Sequence, residues 1–203
     1  MRRVVGLVIA LFLAVGLLPV HARAAPGPED AVRNLYGTLL DTMRRGPHLG
    51  ERGRYEVLAP AIHRDFDLTA MTRLAIGPSW TRLTLAQQQS VTDAFARYTI
   101  ATYADRFASY SGERLEVTGV ETGGFGTIVR SRIVRSNGDL VTLNYLMRQD
   151  GDDWQIVDVY LSGTVSQVAT LRSQFSAVLA RQGVAGLVDT LNRKAAVLVA
   201  NAS

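Results

Sequence analysis

Residues able to do chemistry are few in this sequence. Beyond the first 24 residues there are two histidines, His48 and His63, and the chain contains no cysteine. A metal site would have to join a histidine to carboxylates, and His63-x-Asp65, with Asp67 beyond it, is the one grouping with that look. It falls at the end of a helical pattern, where solvated polar residues are ordinary. Leu161-Ser162-Gly163 lacks the first glycine of a nucleophile elbow and has no plausible histidine partner. Gly123-Gly124-Phe125-Gly126 lies between two strand-like runs and opens no helix, so it reads as a hairpin loop and not as a phosphate cradle. Asp158 is the one carboxylate inside an otherwise apolar strand. It is therefore the single candidate for a general base; the alternative is a carboxylate that accepts backbone or arginine hydrogen bonds. Tyr98, Tyr103, Tyr145 and Tyr160 recur at helix and strand spacing, which suits core packing or the lining of a pocket. No catalytic, metal or cofactor set emerges.

The chain of 203 residues begins with Arg2 and Arg3, then an uncharged apolar run from Val4 to Leu18, then Ala22-Arg23-Ala24. That order is a secretory signal peptide with an A-x-A cleavage site, and the run is short for a membrane span. Residues 1–24 are expected to be removed and residues 25–203 to form one domain. Losing Arg2, Arg3 and Arg23 leaves 19 basic against 18 acidic residues, so the formal charge falls from +4 to +1. No dense cationic footprint survives, which excludes nucleic acid as a partner. Without disulfides, an exported domain has to rest on its core.

Helical periodicity runs from Pro28 to about Arg45, through Val32, Leu35, Tyr36, Leu39 and Met43, and Gly46-Pro47 is expected to end it. Residues 48–54 read as a polar loop. Tyr55, Leu58, Ile62 and Phe66 mark a second helix interrupted by Pro60. Asp67 caps a short third one, stopped by Gly77-Pro78. Thr84 with Gln87 forms a capping box that opens the longest helix, to about Ser109. The period then changes to strands: Leu115 to Val120, Thr127 to Arg135, Val141 to Met147, and Trp154 to Leu161. Asn137-Gly138 and Gln149 to Asp153 are the turns. Two helices follow, Thr164–Arg181 and Val184–Val199, parted at Gly183. Helices, then four consecutive antiparallel strands, then helices indicate an α+β fold.

Several segments resemble one family. Gly77-Pro78-Ser79-Trp80, Leu83-Thr84-x-x-Gln87, Phe95, Tyr103 and Tyr110-Ser111-Gly112 follow the pattern of the MlaC family of periplasmic lipid carriers. Trp154-Gln155-Ile156-Val157-Asp158-Val159, Arg172-Ser173-Gln174-Phe175 and Gly183-x-x-x-Leu187-x-x-x-Leu191 continue it, in order, along nearly the whole mature chain. After the last strand the phospholipid branch has a Glu-Gly-Val-Ser corner. Here the corner is Ser162-Gly163-Thr164-Val165-Ser166, without the glutamate and with one extra residue, which is more similar to the hopanoid-associated HpnM branch.

The resemblance implies a twisted four-stranded sheet wrapped by N- and C-terminal helices, a cone-shaped (NTF2-like) core enclosing an apolar cavity. It implies a hopanoid or phospholipid ligand, transient membrane contact, and shuttling through the periplasm between inner and outer membranes beside an inner-membrane transporter complex. The expected cavity lining is Val141, Leu143, Tyr145, Val157, Val159 and Leu161 from the sheet, with Phe95, Tyr98, Val168, Leu171 and Phe175 from helices over it. Burying a methylene is worth roughly 0.8 kcal/mol, so exposing a chain of about sixteen carbons costs on the order of 12 kcal/mol. Carriage therefore needs an apolar enclosure and no catalytic group. The competing readings are an enzyme on the same kind of cone, with Asp158 as general base and a tyrosine polarising a carbonyl, and a ligand-free scaffold of a membrane complex.

Overall fold

The computed structural model describes residues 26–124 and 126–200; residues 1–24, expected from the sequence to be a signal peptide, lie outside them. The order is helix α1 (Pro28–Asp65), α2 (Leu68–Ile76), a 3-10 turn (Gly77–Arg82), α3 (Leu85–Arg106), strands β1 (Arg114–Gly123), β2 (Gly126–Val134), β3 (Leu140–Asp150), β4 (Asp153–Leu161) and β5 (Val165–Ser166), then α4 (Gln167–Ala200). The strands form one antiparallel meander in chain order. The α+β segregation is as expected, but the sheet has five strands, not four. Val165 and Ser166 fold back on Leu161 and Tyr160 through a short turn in which Ser162 and Gly163 both take positive φ, 52° and 80°. The expected start of the last helix at Thr164 is displaced accordingly to Gln167.

Helix α1 departs further from expectation. Gly46-Pro47 does not stop it; the helix runs on into the expected polar loop 48–54, breaks there at Gly50, with φ 62° and ψ 179°, and then resumes. Gly46 is there for contact. It is buried where the Ala108 carbonyl crosses the helix, and a Cβ at that position would lie 1.8 Å from the carbonyl oxygen. Buried Arg54 closes the same junction, donating from Nε to the Ala104 carbonyl at 2.9 Å and from Nη1 to that of Gly46 at 3.1 Å. Helix α3 opens on the expected capping box, Thr84 N to Gln87 Oε1 at 2.9 Å and Gln87 N to Thr84 Oγ1 at 3.2 Å. Asp67 caps α2 through the Ala70 N–H at 2.8 Å and pairs with Arg148 of β3.

Helix α1 lies on the sheet against β1, β2 and β4; α3 packs on α1, and α4 packs on α3, α2 and β4. The core runs continuously through these layers, from Val129, Leu143, Tyr145, Ile156 and Val159 through Leu35, Leu39 and Ile62 to Phe95, Phe175, Leu187 and Leu191.

Candidate functional site

The sheet's inner face is set by register. Leu143 stands opposite Leu161 and Ser131, and Tyr145 opposite Val159 and Val129. Val141 begins this face at its half-buried end, opposite Ile133. A bulge between β3 and β4 pairs Leu146 with Asp158 and Met147 with Ile156, which leaves Val157 as the extra residue. Val157 is buried but stands outside the main core cluster, and Ile156, fully buried opposite Met147, takes the inward place expected of it. Alternation alone assigns Val157, Val159 and Leu161 to one face; a bulge of one residue breaks that count and leaves no mark in composition.

The helical members form a second group. Phe95 and Phe175 meet edge to face, ring centroids 6.3 Å apart. Val168 is buried and Leu171 half-buried, both packed with this cluster. The helix lying directly on the sheet, α1, was absent from the expected lining. Its Tyr36 meets Tyr145 edge to face at 5.9 Å. Its hydroxyl is 2.5 Å from that of Ser131, which in turn donates to the Leu143 carbonyl. The Tyr145 hydroxyl, fully buried beside them, makes no hydrogen bond of proper geometry. Burial first, then the neighbouring Tyr36 and Tyr103, drive its pKa well above that of an ordinary phenol. Burial likewise raises Tyr36 and Tyr103.

Asp158 points to the opposite face from Tyr145 and is committed. Its Oδ1 accepts from the N–H groups of Val159 at 2.8 Å and Val168 at 3.0 Å, and its Oδ2 accepts from the Ser166 hydroxyl. Ser166 Oγ also accepts the Ala169 N–H at 2.9 Å. The carboxylate thus lashes the first turn of α4 to β4 and satisfies one of the helix's free amides, as Ser166 satisfies another. His63 is exposed, and Asp65 is held by Arg64 at 2.7 and 2.9 Å. Among the described residues no three histidines or carboxylates gather in a metal-ligating group.

Of the eleven expected lining residues, Tyr98 alone borders either of two surface depressions described here. One, of about 370 Å³, is an open groove between α3 and the end of α4, lined by Tyr98, Thr190, Arg193, Lys194, Val197 and Leu198. The other, of about 310 Å³, lies where the start of α1 meets the β3–β4 turn and is polar, with Arg64, Asp65, Asp150, Asp152 and Asp153. Of the other ten, eight pack in or beside the core, while Val141 and Val157 stand outside it. Thr190, Arg193 and Lys194 were not expected at a site, although two adjacent cations set among Leu191, Val197 and Leu198 are a visible irregularity in an apolar helix.

The model of the MlaC protein family matches residues 33–193. The chain belongs to the MlaC family. No curated protein matches it. Among solved structures it is similar to the phospholipid-binding protein from Ralstonia solanacearum, determined in complex with a phospholipid. The TM-score is 0.74 and the identity 26%, over 85% of this chain and 99% of that one. The family match runs from α1 into α4, so almost all of the layered core of this MlaC-family chain lies within it, while the groove straddles its end: Tyr98, Thr190 and Arg193 fall inside the match and Lys194, Val197 and Leu198 beyond it.

Proposed function

We propose that this protein is a phospholipid-binding carrier of the periplasm, ferrying lipid between the inner and outer membranes and catalysing no reaction. The observation that carries the reading is its likeness, along almost the entire length of the solved chain, to a protein held in complex with a phospholipid. The core supports it: one continuous apolar cluster runs from sheet to outer helices, so parting the layers would present apolar surface to a lipid's tails. Asp158, the only candidate base, spends its oxygens on Val159 of β4, Ser166 of β5 and Val168 at the start of α4. Export rests on the signal-peptide pattern of residues 1–24, and delivery to an inner-membrane transporter complex on the family resemblance. A hopanoid is the second reading, favoured by the corner Ser162–Ser166, which lacks the phospholipid branch's glutamate.

The test is lipid transfer by the mature chain between donor and acceptor vesicles carrying a fluorescent phospholipid. Transfer that rises in proportion to protein concentration is expected; a rate equal to that of vesicles alone contradicts the proposal.

A further inference from the structure

The groove between α3 and the end of α4 combines an apolar floor with unopposed positive charge. Val197 is 55% exposed and Leu198 half-buried, while Tyr98 belongs both to the groove and to the edge of the core, one turn from buried Phe95. Over the Tyr98 ring sits Lys194, its Nζ 5.8 Å from the centroid. It is the only lysine in the chain. Arg193 turns its guanidinium to the Thr190 hydroxyl at 3.3 Å, and Arg97 on α3 donates to Asn192 at 2.9 Å. Among the described residues none of these three cations has a carboxylate within 4.0 Å. The only acid on α4 is Asp189.

We infer that this groove seats the phosphate of a single lipid's headgroup, with Lys194 and Arg193 as its cationic contacts and Tyr98 as the threshold over which the chains enter the core. Charge complementarity selects the occupant: an ammonium and a guanidinium beside apolar surface suit a phosphate joined to hydrocarbon, not a neutral hydroxylated lipid. Size favours one headgroup, since the open groove offers about 370 Å³. The volume is at the low end for ligand sites, so the groove holds the head and the core takes the tails. The inference rests on the carrier reading and narrows it to phosphate-bearing lipids.

The experiment compares dihexanoyl phosphatidylglycerol with dihexanoylglycerol, the same chains with and without the phosphate, both below the concentration at which they aggregate. Binding is measured by titration calorimetry, alongside amine acylation of Lys194 read by peptide mass spectrometry. The wild-type chain should bind the phospholipid about tenfold tighter, equivalent to about 1.4 kcal/mol, and the phospholipid should protect Lys194 from acylation. The Arg193→Gln/Lys194→Gln variant, altered only at exposed positions, should keep its melting temperature and its affinity for dihexanoylglycerol while losing the preference. Equal affinity of the wild type for both lipids, or a preference unchanged in the variant, overturns the inference and leaves the carrier reading standing. Failure of both lipids to bind, even at millimolar concentration and with no binding to vesicles, overturns the carrier reading itself. Binding to anionic vesicles without binding to the monomeric phospholipid would make the groove a membrane contact, which also overturns the inference.

Discussion

Tyr145 concentrates the cost of building a polar group into this core. Its ring is packed against Tyr36 and opposite Val159, while its hydroxyl is sealed away without a partner. A buried donor left unmade costs about 1–3 kcal/mol. Tyr145→Phe should therefore raise the stability of the lipid-free protein by about 1 kcal/mol in urea unfolding at neutral pH. A loss of stability would mean that the hydroxyl is bonded after all. The same residues set an alkaline limit. Tyr36, Tyr103 and Tyr145 hold their protons in the folded state above the ordinary phenol value of 10.0, whereas the unfolded chain releases them near it. The folded state then binds more protons, so stability falls as pH rises past about 10, by up to about 1.4 kcal/mol per pH unit for each phenol. Tyr145→Phe should lessen that slope by one such share. Spacing marks Tyr103 and Tyr145 as core or lining and Tyr36 only as part of a helix's apolar stripe; which hydroxyl would be orphaned depends on Ser131 of β2, which reaches Tyr36 from 95 positions away in the chain.

At the scale of elements, most boundaries follow from local chemistry and were legible: the Thr84–Gln87 box, the Asp67 cap, the Asn137-Gly138 hairpin and the parting at Gly183. The exceptions arise where tertiary contact overrules local preference. Gly46-Pro47 reads as a stop, yet the helix runs on to its break at Gly50; the glycine at 46 answers to contact instead, since a Cβ there would collide with the Ala108 carbonyl. Strand β5 is two residues long, too short for any periodicity, and follows from Asp158 drawing Ser166 and Val168 to β4. Asp158→Asn should weaken that anchor, costing about 1.5–3 kcal/mol by thermal or urea unfolding, since hydrogen bonds to charged groups are worth that much. Lipid transfer should persist in the variant; abolished transfer in a folded variant would restore a chemical role for the carboxylate. Gly183 divides α4 at φ 65° and ψ −168°, a region closed to residues with a Cβ, although a Cβ there would meet no neighbour. Gly183→Ala should thus cost about 1–3 kcal/mol through backbone strain alone, measurable as a lower urea midpoint with an unchanged slope.

The molecule as a whole is a sheet with α1 laid on it and α3 and α4 layered beyond, so that one apolar core spans three tiers. Fold class and family were legible because segregated periodicities and a series of short motifs run in order along the chain. The site was legible only in part. The expected lining draws on the sheet and on α3 and α4 but not on α1, which packs against both sheet and α3 and carries the same helical pattern as any buried helix. A periodic apolar stripe does not record which layer it faces. The groove with Lys194 leaves no mark in the net charge, which nearly cancels over the chain, because its cations gather only where α3 and α4 meet. The central claim is that this core parts to hold lipid. Its most direct test is to purify the mature chain without detergent after export to a bacterial periplasm, extract it with organic solvent, and identify the lipids by mass spectrometry. The account predicts phospholipid at close to one molecule per protein. A chain that emerges empty and takes up no lipid from vesicles would contradict it.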